Sequence, residues 1–336
     1  MGKKRNTAIA LLLAAAFCSC EKDIEYIGQY DGEKLVMFSC ASAGMPLEVK
    51  LSKSAFILST DSSNPDDAVR DARVSGRCGG KTIEFEADPS NPGRYVSSYE
   101  PEAGETVELF AGCPGFADVS GSASVPSAPS FRIDQVKVIN DDEYYRRVVV
   151  RLTVNDAAGL RNYYRLKIST ETHAACEGEE MEYSREVALT STDPLFANTQ
   201  DEVEVFAGAI EGEYEVPDYF DDGFFDGKDY TFEVTFYDYS KYDYLLYEWY
   251  YDTFGYDAAV PLEEADIELS SSFVVELSNV SDGLFKYARS LEAYHGVAAE
   301  VMALFGEPVS VYSNIDGGIG CFGAMNSVFE YFNGTL

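Results

Sequence analysis

The segment VVVRLTVNDAAGLRNYYRLKIST, residues 148–170, decides the fold class. Val148, Val150, Leu152 and Val154 alternate with Val149, Arg151, Thr153 and Asn155. A period of two belongs to a strand whose side chains point alternately to its two faces. The β-branched residues suit a pleated surface, where their stiff χ1 costs little. NDAAG, residues 155–159, supplies Asn, Asp and Gly, the residue types that make turns. NYYRLKIST, residues 162–170, then reads as a strand returning beside the first, so the segment predicts a β-hairpin.

The same period recurs upstream. Leu47, Val49 and Leu51 share a phase, as do Ala72, Val74 and Cys78, then Ile83 and Phe85, then Val107, Leu109 and Ala111. TDSSNPDD, CGGK, DPSNPG and EAGE punctuate them as turns. Short strands roughly ten residues apart, with no helix between them, predict an N-terminal β-sandwich over residues 34–127, immunoglobulin-like or transthyretin-like. SVPSAPS, residues 124–130, holds two prolines among small residues and predicts a domain boundary.

Residues 131–336 predict a larger β-rich domain. Tyr230, Phe232, Val234 and Phe236 line one strand face, and DIELSSSFVVELS, residues 266–278, is a further strand. The period then changes. Ser281 can cap a helix in which Leu284, Tyr287, Ala288 and Leu291 recur at helical spacing. The pattern resumes through Ala298, Val301 and Phe305, with a break at Gly296 and an end at Gly306 and Pro308. The expectation is a mainly β chain with one or two C-terminal helices, including one near residues 281–305.

Composition narrows the function. The chain carries 58 acidic and 25 basic residues, a formal charge of −33. Such a polyanion repels nucleic acid and anionic lipid, so neither is an expected partner. The basic residues Lys3, Lys4 and Arg5 precede a short apolar run, Ala8 to Phe17, which predicts a signal peptide. Cys20 follows, with Ser19 at −1 and Phe17 at −3, the pattern of a lipoprotein processing site. Residues 1–19 are then leader, Cys20 is the lipidated first residue, and the polar residues 20–33 are its tether. The competing reading is an ordinary cleaved leader with Cys18 and Cys20 as bystanders. Several acyl chains on Cys20 give stable membrane anchoring.

Five further cysteines remain: Cys40, Cys78, Cys113, Cys176 and Cys321. No C-x-x-C pair occurs and only His173 and His295 could join them, which speaks against zinc. They read as small buried hydrophobes, with a disulfide among Cys40, Cys78 and Cys113 as the alternative.

Three motifs carry candidate sites. GIGCFG, residues 318–323, has the spacing of a dinucleotide loop, but too little chain follows for a βαβ unit, so it reads as a tight turn or close backbone approach. DYFDDGFFDGKD, residues 218–229, offers Asp218, Asp222, Asp226 and Asp229 at calcium-loop positions, with Phe220 where an oxygen is required. Calcium and a pair of solvated acidic turns are the competing readings. YDYSKYDYLLYEWYYDTFGY, residues 237–256, is rich in Tyr. Tyr244, Tyr247, Trp249 and Tyr251 are the candidate recognition surface, against a buried helical face through Tyr242, Leu246, Trp249 and Tyr250. No G-x-S-x-G, H-E-x-x-H or Walker loop is present, so no enzyme is expected.

SCEKD, residues 19–23, resembles the start of Bacteroidota lipoproteins, and Glu21, Lys22 and Asp23 resemble their surface-export signal. VRDARVSG, GRYVSSYEPEAGETVELFA, NYYRLKIST, FFDGKDYTFEV and EPVSVYSNIDGGIGCFGA occur in the order of one family. It is the Bacteroidota lipoprotein family catalogued as domain of unknown function 4249, and the Tyr-rich stretch 237–265 looks like an insertion in it. The resemblance implies an outer-membrane lipoprotein facing the cell exterior, often encoded beside a TonB-dependent transporter. The expected role is ligand capture for, or docking on, that barrel. The alternative is a structural or adhesive surface lipoprotein.

Overall fold

The computed structural model describes residues 32–54, 67–139, 146–197, 214–239, 243–256, 260–298 and 310–334. The expected leader, residues 1–19, and Cys20, Glu21, Lys22 and Asp23 lie outside the described residues. The strands form three sheets. The largest has nine strands, in the order β12 (Glu179–Glu186), β11 (Tyr163–Cys176), β17 (Glu268–Val280), β18 (Ile319–Gly334), β1 (Leu35–Ser42), β2 (Glu48–Lys53), β6 (Arg94–Val96) and β5 (Glu86–Ala87). The ninth, β15 (Tyr219–Asp221), pairs with β11. A four-stranded sheet has the order β4 (Lys81–Glu84), β3 (Arg73–Cys78), β7 (Thr106–Gly112), β8 (Val119–Ser124). A five-stranded sheet has the order β14 (Tyr214–Glu215), β13 (Thr190–Ser191), β16 (Asp229–Asp238), β10 (Arg146–Asn155), β9 (Ser130–Ile139). None closes into a barrel.

Each smaller sheet packs on one half of the nine-stranded sheet, so there are two sandwiches and two cores. The alternating residues meet as their period requires. Leu35, Met37, Leu47, Val49, Val107, Leu109 and Phe322 fill the first core. Val148, Val150, Leu152, Ile168, Phe232, Phe236 and Phe273 fill the second.

One strand belongs to both. Ile319 to Met325 of β18 pair parallel with Val36 to Ser42, and Met325 to Gly334 pair antiparallel with Val280 back to Ser271. GIGCFG is the start of this strand. Gly320 has φ +123°, and a Cβ there would strike the carbonyl oxygen of Met37. A Cβ on Gly323 would lie 2.7 Å from that of Leu284. The glycines are a close backbone approach, as their spacing outside a βαβ unit implies.

Three expectations need correction. Residues 148–170 do not form a hairpin. Both edges of β10 are taken, by β9 and β16, while β11 pairs with β12, β15 and β17 in the other sheet. The turn after Asn155 therefore crosses from one layer of the sandwich to the other. SVPSAPS marks the passage between sandwiches but does not separate two sheets. Val125 is buried, and the side-chain amides of Asn326 and Asn279 donate to the carbonyls of Pro126 and Ser127 at 3.0 and 2.9 Å. The helix after β17, α2 (Asp282–Ala298), runs through Gly296 without a break, and its continuation beyond residue 298 lies outside the described residues. Ser281 does cap it, its Oγ accepting from the Leu284 and Ala324 amides at 3.4 and 2.9 Å. The other helix, α1 (Tyr244–Phe254), precedes β17.

Phe322 is fully buried on the strand that both sandwiches share. Phe322→Ala should cost about 3–5 kcal/mol through lost burial and a cavity, read as a lower urea midpoint.

Candidate functional site

Two places gather the residues singled out by sequence. The first is α1. It connects the end of β16 to the start of β17. Asp243 caps it, its side chain accepting from the Leu245 amide at 2.9 Å and from Arg185 Nη1 at 2.6 Å. Gly255, at φ +88°, ends it, its amide bonding the Tyr251 carbonyl at 2.9 Å. Leu246 and Tyr250, four residues apart, form the buried face, and Tyr250 donates its hydroxyl to the Val260 carbonyl at 2.7 Å.

The outer face is aromatic. Tyr244 is 67% exposed and Tyr256 76%, with Tyr247 exposed as well. Trp249 and Tyr251 are half-buried. Tyr251 stacks on Tyr256 at 5.3 Å and 8°, and meets Tyr247 at 4.6 Å. Glu248 beside Tyr244 holds its phenol above the usual range, and no basic residue occurs from 243 to 256. Leu246 and Tyr250 of the expected buried face are core, Trp249 is half-buried, and Tyr244 and Tyr247 face solvent. Tyr242 lies outside the described residues.

Topology gives this face its position. β18 runs 16 residues from Ile319, beside Val36 at the start of β1, to Gly334, opposite Ser271 near the start of β17. At ~3.3 Å per residue that is about 50 Å. The chain enters the described fold at one end of β18, and α1 joins two strand ends at the other. Local periodicity contains no trace of this distance.

The second place is the crossing turn. Asp156, Asp222 and Asp226 bring carboxylate oxygens within 4.8 Å of one another. Asp156 accepts from the Tyr164 hydroxyl at 2.5 Å, the Asn162 side-chain amide at 2.9 Å and the Gly227 amide at 2.7 Å. Asp222, only 1% exposed, accepts from the Asn162 amide at 2.6 Å and lies 3.5 Å from Arg161 Nε. Asp226 accepts from the Gly159 amide at 3.0 Å. These bonds lash the β10–β11 turn to the loop before β16.

Of the predicted calcium ligands, the fold brings Asp222 and Asp226 together and leaves out Asp218 and Asp229. Asp218 is exposed, 3.8 Å from Lys167 Nζ, and Asp229 begins β16 opposite Asn155. Phe220 is buried against Phe196 and Phe232, which excludes a twelve-residue calcium loop. Asp156 is the third carboxylate, 66 residues before Asp222. Its only signal in sequence was that of a turn acid. Together the three could hold a hard cation.

Among the described residues, Cys40, Cys78, Cys113, Cys176 and Cys321 are free. Cys78 lies in the first core, whereas Cys40 and Cys321 lie on the opposite face of the large sheet, beneath α2. Burial pushes Cys40 up to about 11 and Cys321 to about 12, so both are inert thiols. His173 sits on β11, 3.7 Å from Glu180. No helix among the described residues is long and apolar enough to cross a membrane.

A family model matches residues 21–329. The chain belongs to the family described as domain of unknown function 4249. The matched residues run from Glu21 to Phe329 within β18. No curated protein matches the chain.

Burial raises the Asp222 carboxyl, with the Asp156 and Asp221 charges adding to it, against the Asn162 amide and Arg161. A carboxyl raised by folding binds its proton more tightly in the folded state. Ionising it therefore costs stability as pH rises through the carboxylate range. In metal-free buffer at pH 7, Asp222→Asn should raise the melting temperature by about 1–2 °C, a gain that disappears near pH 3. Added calcium that seats among the three carboxylates would raise the wild-type melting temperature and not that of the variant.

Proposed function

We propose that this chain is a non-enzymatic, surface-exposed outer-membrane lipoprotein, anchored through lipid on Cys20 and routed outward by Glu21, Lys22 and Asp23. Its α1 end docks on a TonB-dependent transporter barrel as an accessory to ligand capture. The observation that carries the reading is that the exposed aromatic face lies toward one end of β18 and the start of β1 lies at the other, with about 50 Å of strand between them. An anchored protein presents the end far from its anchor. Tyr and Trp there provide large contact area at low entropic cost. The family match starts at residue 21, directly after Cys20, which agrees with a mature chain that begins there.

The acid-rich surface favours a partner with basic loops. Glu248 and Asp252 lie on the same helix as the exposed tyrosines, and an Arg or Lys over such a ring gains cation–π attraction of about 0.5–2 kcal/mol.

Two experiments test this. Cys20→Ala should release the protein from the membrane fraction or leave it unprocessed; a membrane-bound, processed variant contradicts anchoring. Native pull-down from detergent-solubilised membranes should recover a barrel. Combined Tyr244→Ala and Tyr247→Ala should reduce recovery at least about tenfold, as loss of aromatic anchors does, with an unchanged melting temperature. Repeated recovery of no barrel with the wild-type chain overturns the docking role.

A further inference from the structure

β1 has eight residues and β18 sixteen, and the difference leaves a track open beside β18. Their pairing ends at Ser42 and Met325. There the Ala43 amide donates to the Met325 carbonyl at 3.1 Å, and the chain turns away into β2. From Asn326 to Gly334, β18 pairs with β17 alone among the described residues. This length of extended strand spans about 30 Å. In an antiparallel pair about every second residue turns its backbone N–H and C=O away from the partner strand. The open edge of β18 therefore carries a row of backbone donors and acceptors that β17 does not use.

Among the described residues, the other edge strands of eight or more residues are guarded by charge. β12 carries Glu179, Glu180, Glu182, Arg185 and Glu186. β9 carries Arg132, Asp134 and Lys137. Such charges are how sheets avoid pairing with other chains. The open length of β18, NSVFEYFNG, has one charged residue, Glu330, and no proline. On its outer face Phe329 and Tyr331 are 50% and 67% exposed. On its other face Val328 and Phe332 are only partly buried against the second core. Val136 of β9, the edge strand of the opposite sheet, is partly buried there too, so the rim of that core is accessible along this side.

What fits such a track is a strand. Another extended chain satisfies the edge backbone, and its alternate side chains settle on the rim of the core. Glu330 selects the charge of that chain. It lies in register with the buried Val275, on the face of Val328 and Phe332, and is exposed at the rim. A second copy of this strand would bring a second Glu330 to the same short edge, and like charges across a strand pair are unfavourable. The formal charge of −33 on each copy adds to the repulsion. A Lys or Arg at that place is attracted by both.

We propose that residues 326–334 of β18 receive an extended, basic segment of a partner protein as an added strand, with its apolar side chains on Val328 and Phe332 and its Lys or Arg beside Glu330. The site is a strand edge, separate from the helix face of α1, and nothing in it rests on the docking of α1.

The test is hydrogen exchange of the whole purified chain, read by mass spectrometry on the peptide that covers residues 326–334. The probe is a synthetic seven-residue peptide in which valine, lysine and valine alternate with threonine, and the control carries glutamate in place of the lysine. Free-edge amides in this stretch should exchange rapidly in the chain alone. At about 1 mM, the probe should slow them at least about tenfold and leave β9 and β12 unchanged. The control should bind at least about fivefold more weakly. With Glu330→Lys the order should reverse, the glutamate peptide protecting better than the lysine peptide. Glu330 is exposed, so this variant should fold, as thermal melting would confirm. Absence of protection by the probe overturns the proposal. Equal protection by the two peptides, or an unchanged order in Glu330→Lys, overturns it by removing the basis for a basic partner. Protection that rises with protein concentration in the absence of probe assigns the edge to a second copy of the chain and overturns it as well.

Discussion

The structure depends on the double pairing of β18. Its first half supplies the strand next to β1 that completes the first core, and its second half lies against β17 in the second. Met325 is the point where the neighbour changes, pairing with Ser42 on one side and Val280 on the other. Phe322 and Ala324 sit in the first core, while Val328 and Phe332 pack on the second. A strand from the C-terminal end of the chain thus closes a sandwich whose other strands were made first. That contact spans almost the whole described sequence, which makes its closure entropically costly. The glycines at 320 and 323 belong to the same constraint, since one lies against the β1 backbone and the other beneath α2.

Much of the fold was legible because alternation is local. A residue's phase along a strand depends on its neighbours two positions away, and the buried sets at Leu47 to Leu51, Val107 to Ala111, Val148 to Val154 and Tyr230 to Phe236 all follow it. Strand partnership is not local. The NDAAG turn had the residue types of a hairpin, yet it carries the chain between layers, because β10 had already found partners on both edges. The proline-rich segment at 124–130 looked like a boundary for the same reason: nothing near it discloses that Ile319 to Met325 return to β1. The candidate sites divide in the same way. Exposure of Tyr244 and Tyr247 follows from helical phase, with Leu246 and Tyr250 facing inward. The carboxylate cluster needed Asp156 from a distant turn, and Phe220 was a core aromatic where a ligand oxygen was sought.

The same architecture arranges the functional parts along one axis. The start of β1 lies at one end, the crossing turn lies midway, and α1 lies at the far end. Fixed spacing of this kind is what the proposed anchored role would need, and the shared strand supplies it. Two sandwiches joined only by the 124–130 segment would pivot, and the reach of α1 would vary with the pivot.

Native-state hydrogen exchange across a denaturant series, read by mass spectrometry on peptides from β1, β7, β11 and β17, examines this directly. If β18 unites the sandwiches, all four strands lose protection together at one denaturant concentration, with one opening free energy. Separate transitions, with β1 and β7 opening while β11 and β17 stay protected, would contradict it.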